Sequence, residues 1–265
     1  MILNFADKGY LIIRKAINPT LSKKIRSEIF KNLNVSGKNE NKKYNTFCKK
    51  VIKVKSKDYH EYTKPLFEFL HHRGYLEKIF LEKKIYKAVS ELLGKDLAYC
   101  ADPGINLNVP SKKGVKKGYQ FKAWHQEIWS GASASTIQFW TPLIQKNSRS
   151  GQIEFITDSH KWGHVPHKNR MPVELPKNFK TKKLNLEYGD VIIFSTLLIH
   201  RSVETDHPRM AMPCLIKNFK NREFSFETNR NFHIYSYSEM TKLERIWGNH
   251  YLSPFRIKDI NEKKN

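Results

Sequence analysis

Gly189-Asp190-Val191-Ile192-Ile193-Phe194-Ser195-Thr196-Leu197-Leu198-Ile199-His200-Arg201-Ser202 reads as a Gly-Asp turn feeding an apolar strand that closes on a histidine. It answers an earlier stretch, Trp124-His125-Gln126-Glu127. His125 and Glu127 are two apart, so an extended strand points both side chains to one face. From the end of its own strand His200 can complete a triad across a barrel mouth. Two imidazoles and one carboxylate are the ligand set of a non-heme iron(II) centre, which leaves positions open for a cosubstrate and dioxygen. Ser202 shares the face of His200, and Arg209 follows a turn at Asp206-His207-Pro208. They add a hydroxyl and a planar, fixed cation suited to a carboxylate. The competing reading makes His125 and His200 hydrogen-bonded core histidines and Glu127 a surface ion-pair partner.

Around these blocks the chain is strand-rich from about Tyr119. Ser135 to Thr141 alternates, with Thr136, Gln138 and Trp140 on one face and Ile137 and Phe139 on the other. Gln152 to Ile156, Leu184 to Leu186, Val191 to Leu198, Met210 to Ile216 and Phe224 to Phe226 follow as short strands. Such spacing favours a sandwich or barrel over a βαβ fold. Toward the N-terminus, Gly9 to Ile13 reads as a short strand. Asn18 then caps a helix with Pro19 at its first position, and Leu21, Ile25, Ile29 and Leu33 form its apolar stripe. Residues 34–50 read as a polar, mobile loop, and Pro65 to Gly94 as one or two helices broken near Gly74. Asp102 to Gly118 reads as a rim loop, and Met240 to Trp247 as a short terminal helix. One domain over 1–265 is expected, with helical support about 19–95, a barrel core about 119–226 and a last helix about 238–248.

The 265 residues carry 48 Lys and Arg against 25 Asp and Glu, a formal charge of +23. That excess suits an anionic partner, whether a carboxylated or phosphorylated small molecule, nucleic acid or an anionic membrane surface. The lysines are spread along the chain, with no finger pattern, RNP-like aromatic pair or basic heptad run, which favours a solvated surface. Cys48, Cys100 and Cys214 are few and far apart, which argues against a disulfide scaffold or a structural zinc and fits a reducing compartment. No apolar run is long enough to span a membrane. A cytoplasmic location is the expectation.

The blocks taken together resemble the phytanoyl-CoA dioxygenase family of iron(II)/2-oxoglutarate oxygenases. Carrying the resemblance are Gly9-Tyr10-Leu11-Ile12-Ile13-Arg14, Trp124-His125-Gln126-Glu127, Phe139-Trp140-Thr141-Pro142-Leu143, Gly151-Gln152-Ile153-Glu154-Phe155-Ile156, Asp158-Ser159-His160-Lys161, and Gly189-Asp190 through His200-Arg201-Ser202 to Arg209. Glu127 stands where the family motif usually has Asp, and Arg209 lies closer to its histidine than is common, so the loop between them must be tight. The resemblance implies a mainly β double-stranded β-helix, a jelly-roll (cupin-like) barrel with flanking N-terminal helices. It implies iron(II) held by His125, Glu127 and His200, and 2-oxoglutarate anchored by Arg209 and Ser202. Gln138 and Trp140, on one face of their strand, either line the cosubstrate pocket or belong to an aromatic core strand with polar edges. With dioxygen, such enzymes hydroxylate an unactivated C–H bond and release succinate and carbon dioxide. The charge points to a small anionic metabolite as substrate, with Lys122, Trp129, Lys161 and Arg201 as candidate contacts. His160, His164 and His167 have metal-like spacing but sit in a Gly- and Pro-containing stretch that favours a rim role. Rival classes are a nucleic-acid-directed oxygenase, a cupin-like metal- or sugar-binding barrel without catalysis, and a basic nucleic-acid-binding protein.

Overall fold

The alternation at residues 136–141 separates two cores in the computed structural model, which describes residues 2–55, 58–102, 104–110, 123–147, 152–221 and 231–247. Ile137, Phe139 and Leu143 pack into one apolar cluster with the helices, whereas Trp140 packs into a second cluster with Ile153, Phe155, Leu184, Ile192 and Phe194. Both clusters flank strand β4 (Ile137–Ile144), which is buried along its whole length. A strand covered on both faces by apolar matter is the central plank of a barrel backed by helices.

The larger sheet comprises β1 (Tyr10–Ile13), β2 (Leu97–Cys100), β3 (Asn106–Asn108), β4, β9 (Val191–Ser195), β11 (Arg209–Asn218) and β12 (Phe232–Ser236). Its order is β1-β9-β4-β11-β2-β12, with β3 also on β11 and every pairing antiparallel. The smaller sheet is β5 (Ile153–Ile156), β8 (Thr181–Leu184) and β10 (His200–Ser202), ordered β10-β5-β8. A hairpin of β6 (His167–Lys168) and β7 (Met171–Pro172) stands apart. The two sheets face each other as a jelly roll. Tyr10 of β1 stacks on Phe155 of β5 at 5.3 Å, and Phe155 meets Phe194 of β9 edge-on at 5.3 Å. Fully burying such rings stabilises the barrel by roughly 1.5–3 kcal/mol each.

The opposite face of the larger sheet carries α2 (Pro19–Asn32), α3 (Glu40–Val51), α4 (Tyr59–His72), α5 (Tyr75–Phe80) and α6 (Lys83–Leu93), while α1 (Ile2–Lys8) precedes β1 and α7 (Glu239–Trp247) follows β12. Asn18 caps α2 as its sequence predicts, its side chain accepting from the Thr20 amide at 2.8 Å. Residues 34–50 differ from expectation: most of them form α3. Asn39 caps that helix, and Tyr44, Phe47, Cys48 and Val51 fall at helical spacing, with Phe47 and Val51 fully buried. The Asn/Lys content masked a narrow apolar stripe. The segment 65–94 is three helices rather than one or two, and the first begins at Tyr59 and contains Pro65. Strands β2 and β3 lie in stretches not read as strands, and with β1 and β12 they extend the β-structure beyond residues 119–226. The expected strand at Phe224 to Phe226 lies outside the described residues.

Candidate metal and cosubstrate site

His125 and His200 are brought together by backbone pairing. Each donates its amide to the other's carbonyl at 3.0 Å, a single antiparallel bridge that continues the smaller sheet past β10. His125 sits in that bridge, but the chain then leaves the strand, and Glu127 opens a 3₁₀ turn, Glu127–Ser130. The reading of both ligands on one extended strand is therefore corrected. The turn swings the glutamate inward, and its longer side chain brings Oε1 to 3.5 Å from His125 Nε2 and 3.3 Å from His200 Nε2. Ligand atoms of all three lie within 4.8 Å of one another, the sole such His/Cys/Asp/Glu group among the described residues.

The second nitrogen of each ring determines its tautomer. His125 Nδ1 lies 2.8 Å from the Ala123 carbonyl, and His200 Nδ1 lies 3.0 Å from the Leu198 carbonyl. A carbonyl only accepts, so in the neutral ring the proton sits on Nδ1 and the Nε2 lone pair faces the other two groups. Two neutral imidazoles and a carboxylate, 5–6 % exposed at the histidines, form a donor set that fits a divalent cation.

Arg209, at the start of β11, is wholly buried, and among the described residues no hydrogen-bond partner satisfies its Nε or Nη1. Its guanidinium lies 4.9 Å from the centre of the Trp140 ring, and Nη2 reaches Ser202 Oγ at 3.3 Å. Burial pushes its pKa down to about 9, so it remains a cation at neutral pH. An uncompensated buried cation with two unused donors is a cradle for a carboxylate. Gln138 lies opposite Phe194 in register, and the Phe194 ring is 4.7 Å from that of His200. The alternation Gln138–Trp140 therefore spans from the histidine end of the barrel to the arginine. The tight loop before Arg209 is closed by Thr205 Oγ1, which donates to the His207 carbonyl at 2.7 Å.

The remaining candidates are placed differently. Arg201 points away from His200 and Ser202, gripping Glu154 with Nε and Nη2 at 2.7 Å and lying over Trp124 at 4.3 Å. Lys161 pairs with Asp7 and Asp158. Trp129 is 7 % exposed, its indole donating to the Val165 carbonyl at 2.9 Å. Lys122 lies outside the described residues. His160 belongs to no metal group among the described residues: its Nε2 lies 2.9 Å from the Ala6 carbonyl, and its ring occupies the space where a Cβ on Gly9 would sit. That contact accounts for the glycine and the Ser159-His160-Lys161 turn together.

Several supporting residues escaped the sequence reading. Gln126, fully buried between the two candidate ligands, donates to the Gly163 and Leu197 carbonyls at 2.8 and 2.6 Å and accepts from the Val165 amide at 3.0 Å. Ser159 Oγ accepts from the Ile199 amide at 2.8 Å and so fixes the residue before His200. Tyr44 donates to the Pro208 carbonyl at 2.7 Å, tying α3 to the residue before Arg209. Asn108 of β3 stands opposite Arg209 in register and is buried. Gln126 had a sequence signal, an amide held between two candidate ligands, and Ser159 stood in one of the quoted blocks; Tyr44 and Asn108 had none.

The fold has relatives of known structure. The non-heme monooxygenase ThoJ, in its apo form, superposes with a TM-score of 0.58 at 15% identity, covering 90% of this chain and 84% of that one. EctD from S. alaskensis, solved with 2-oxoglutarate and 5-hydroxyectoine, gives 0.52 at 14% identity, covering 84% and 76%. EvdO2 from Micromonospora carbonacea var. aurantiaca gives 0.50 at 16% identity, covering 80% and 86%. No curated protein matches significantly by sequence. The phytanoyl-CoA dioxygenase (PhyH) family matches residues 5–211, the span that holds β1, the two histidines, Glu127 and Arg209, and the chain belongs to that family of iron(II)- and 2-oxoglutarate-dependent non-heme oxygenases.

Proposed function

We propose that this enzyme hydroxylates an unactivated C–H bond of a small anionic metabolite, with His125, Glu127 and His200 holding iron(II) and with Arg209 and Ser202 holding the distal carboxylate of 2-oxoglutarate. The observation that carries this reading is the buried arginine with two unsatisfied donors, set against Ser202 on the same strand face as His200. An arginine so placed costs stability unless an anion joins it. Iron(II) with 2-oxoglutarate and dioxygen supplies the oxidising power, consuming the keto acid to succinate and carbon dioxide. The chain's own residues bind, orient and shield. The backbone carbonyls of Ala123 and Leu198 fix the imidazole tautomers. Gln126 holds the segment between the ligands against the loop at 163–165. Trp140 walls the arginine, and the apolar barrel core of Phe155, Phe194 and Leu198 keeps water from the site. The formal charge of +23 supports an anionic substrate by raising its local concentration.

The test is anaerobic reconstitution with iron(II) and 2-oxoglutarate. A weak visible charge-transfer band is expected in the wild type and absent in His200→Ala. A metabolite screen by succinate release then identifies the substrate. Wild-type protein that binds iron without developing the band on adding 2-oxoglutarate refutes the assignment.

A further inference from the structure

The segment 163–173, Gly-His-Val-Pro-His-Lys-Asn-Arg-Met-Pro-Val, is a cationic element hydrogen-bonded to the segment that carries His125 and Glu127. It folds as the β6–β7 hairpin, with His167 opposite Pro172 and Lys168 opposite Met171. Its two-residue tip, Asn169-Arg170, adopts positive φ at both positions, 52° and 58°, the pattern of a tight turn matched to strand twist. The base of the hairpin hangs on the metal-site segment. Gln126, one residue from each of two candidate ligands, bonds Gly163 and Val165, and Trp129 bonds Val165 while stacking on the His167 ring at 5.0 Å and 27°. The His164 ring lies 5.9 Å from that of His167.

His164, His167, Lys168 and Arg170 are all exposed, and none makes an ion pair among the described residues. The neighbouring cations Lys161 and Arg201 are both committed to carboxylates. We propose that the β6–β7 hairpin is the arm that recognises the substrate's anionic end, with Lys168 and Arg170 receiving a phosphate monoester. This rests on the anionic-substrate reading above and gives it a location and a chemical class. Such a group carries about −1.5 to −2 charges near pH 7 and offers three acceptor oxygens, so it matches two cations better than a singly charged carboxylate would. The adjacent imidazoles add further donors, and the stacked indole of Trp129 ties the arm to the 3₁₀ turn that carries Glu127.

The test titrates the full chain, loaded anaerobically with iron(II) and saturating 2-oxoglutarate, with phenyl phosphate, benzoate and phenol, read by tryptophan fluorescence and calorimetry. Phenyl phosphate is expected to bind at least tenfold more tightly than benzoate, with phenol weaker still. Lys168→Ala/Arg170→Ala is expected to lose at least tenfold in phenyl phosphate affinity with 2-oxoglutarate affinity within twofold of wild type. Lys177→Ala/Lys180→Ala, exposed lysines off the hairpin, should stay within twofold for both. The proposal is overturned by a hairpin variant that keeps wild-type affinity, an equal loss in the control variant, benzoate binding as tightly as phenyl phosphate, or no binding of phenyl phosphate at all. Absence of the charge-transfer band in the loaded wild type would sink the cosubstrate reading instead, and the same titrations repeated on the metal-free full chain would then decide the hairpin.

Discussion

Replacing Arg209 by methionine should make the protein more stable and at the same time useless to its cosubstrate. The side chain is fully buried, its only hydrogen bond among the described residues is a 3.3 Å contact with Ser202, and burial lowers its pKa to about 9. The folded-state value lies below the ordinary one, so the penalty of holding the charge is present in full below about pH 9 and fades only as pH rises above it. A buried cation without an acidic partner costs about 3–5 kcal/mol, and replacing buried charge with well-packed apolar side chains often returns ~1–4 kcal/mol. Methionine keeps the unbranched bulk over Trp140 without the charge. A net gain of about 2 kcal/mol would raise Tm by roughly 4–8 °C in a chain of this size. The same change removes the proposed bidentate partner of the distal carboxylate, and a loss of about 3 kcal/mol lowers 2-oxoglutarate affinity by ~100-fold or more. The assay pairs thermal and urea unfolding with anaerobic titration of the visible band. In the wild type, saturating 2-oxoglutarate should raise Tm, and in Arg209→Met it should not. A methionine variant less stable than the ligand-free wild type, or one whose 2-oxoglutarate affinity is unchanged, refutes the argument.

Glu127→Asp restores the usual family residue yet should weaken the site, because the carboxylate leaves from a 3₁₀ turn and loses a methylene of reach. Iron affinity by competition with a colorimetric chelator should fall by at least the ~10–100-fold seen when a ligand's supporting hydrogen bond is removed, and an unchanged affinity would mean that the turn relaxes back to a strand. Gln126→Ala strands two carbonyls and one amide in a dry environment and should cost about 3 kcal/mol, lowering Tm by roughly 6–12 °C; a shift under 2 °C would show that water replaces the amide. His71 titrates below the ordinary histidine range because of burial first, then the neighbouring His233 and His72, with Glu77 opposing, while its Nδ1 lies 2.7 Å from the Tyr99 hydroxyl. A histidine whose folded value is depressed contributes stability that is present at neutral pH and lost as pH falls through that value. His71→Gln, which can keep the Tyr99 bond, should flatten the pH dependence of urea unfolding below about pH 6.5, the unperturbed histidine value, and an unchanged slope would assign the dependence to other groups.

What could be read from the residues, and what could not, follows from where each physical constraint acts. The apolar run from Val191 to Phe194 and the alternation at 136–141 are direct imprints of burial, so the barrel was legible. The triad was legible because ligand chemistry admits few residue types, but it converges by a route that the spacing did not show. Two residues apart on a strand would place His125 and Glu127 side by side on one surface. Instead a one-bridge strand holds the histidine and a 3₁₀ turn carries the glutamate, and the extra methylene of Glu127 closes the gap that the turn opens. The departure from the family's aspartate and the departure from strand geometry are thus one adjustment rather than two. Helix α3 was hidden for the opposite reason, since only Tyr44, Phe47, Cys48 and Val51 mark its buried side while lysines and asparagines fill the rest. Its consequence is not local. Tyr44 reaches the carbonyl of Pro208, so a helix that looks like solvated loop sets the backbone from which the buried arginine springs. A Tyr44→Phe change, which removes only the hydroxyl, should therefore raise the 2-oxoglutarate Kd several-fold while leaving iron affinity intact. Loss of both together would assign α3 to general stability rather than to the anchor.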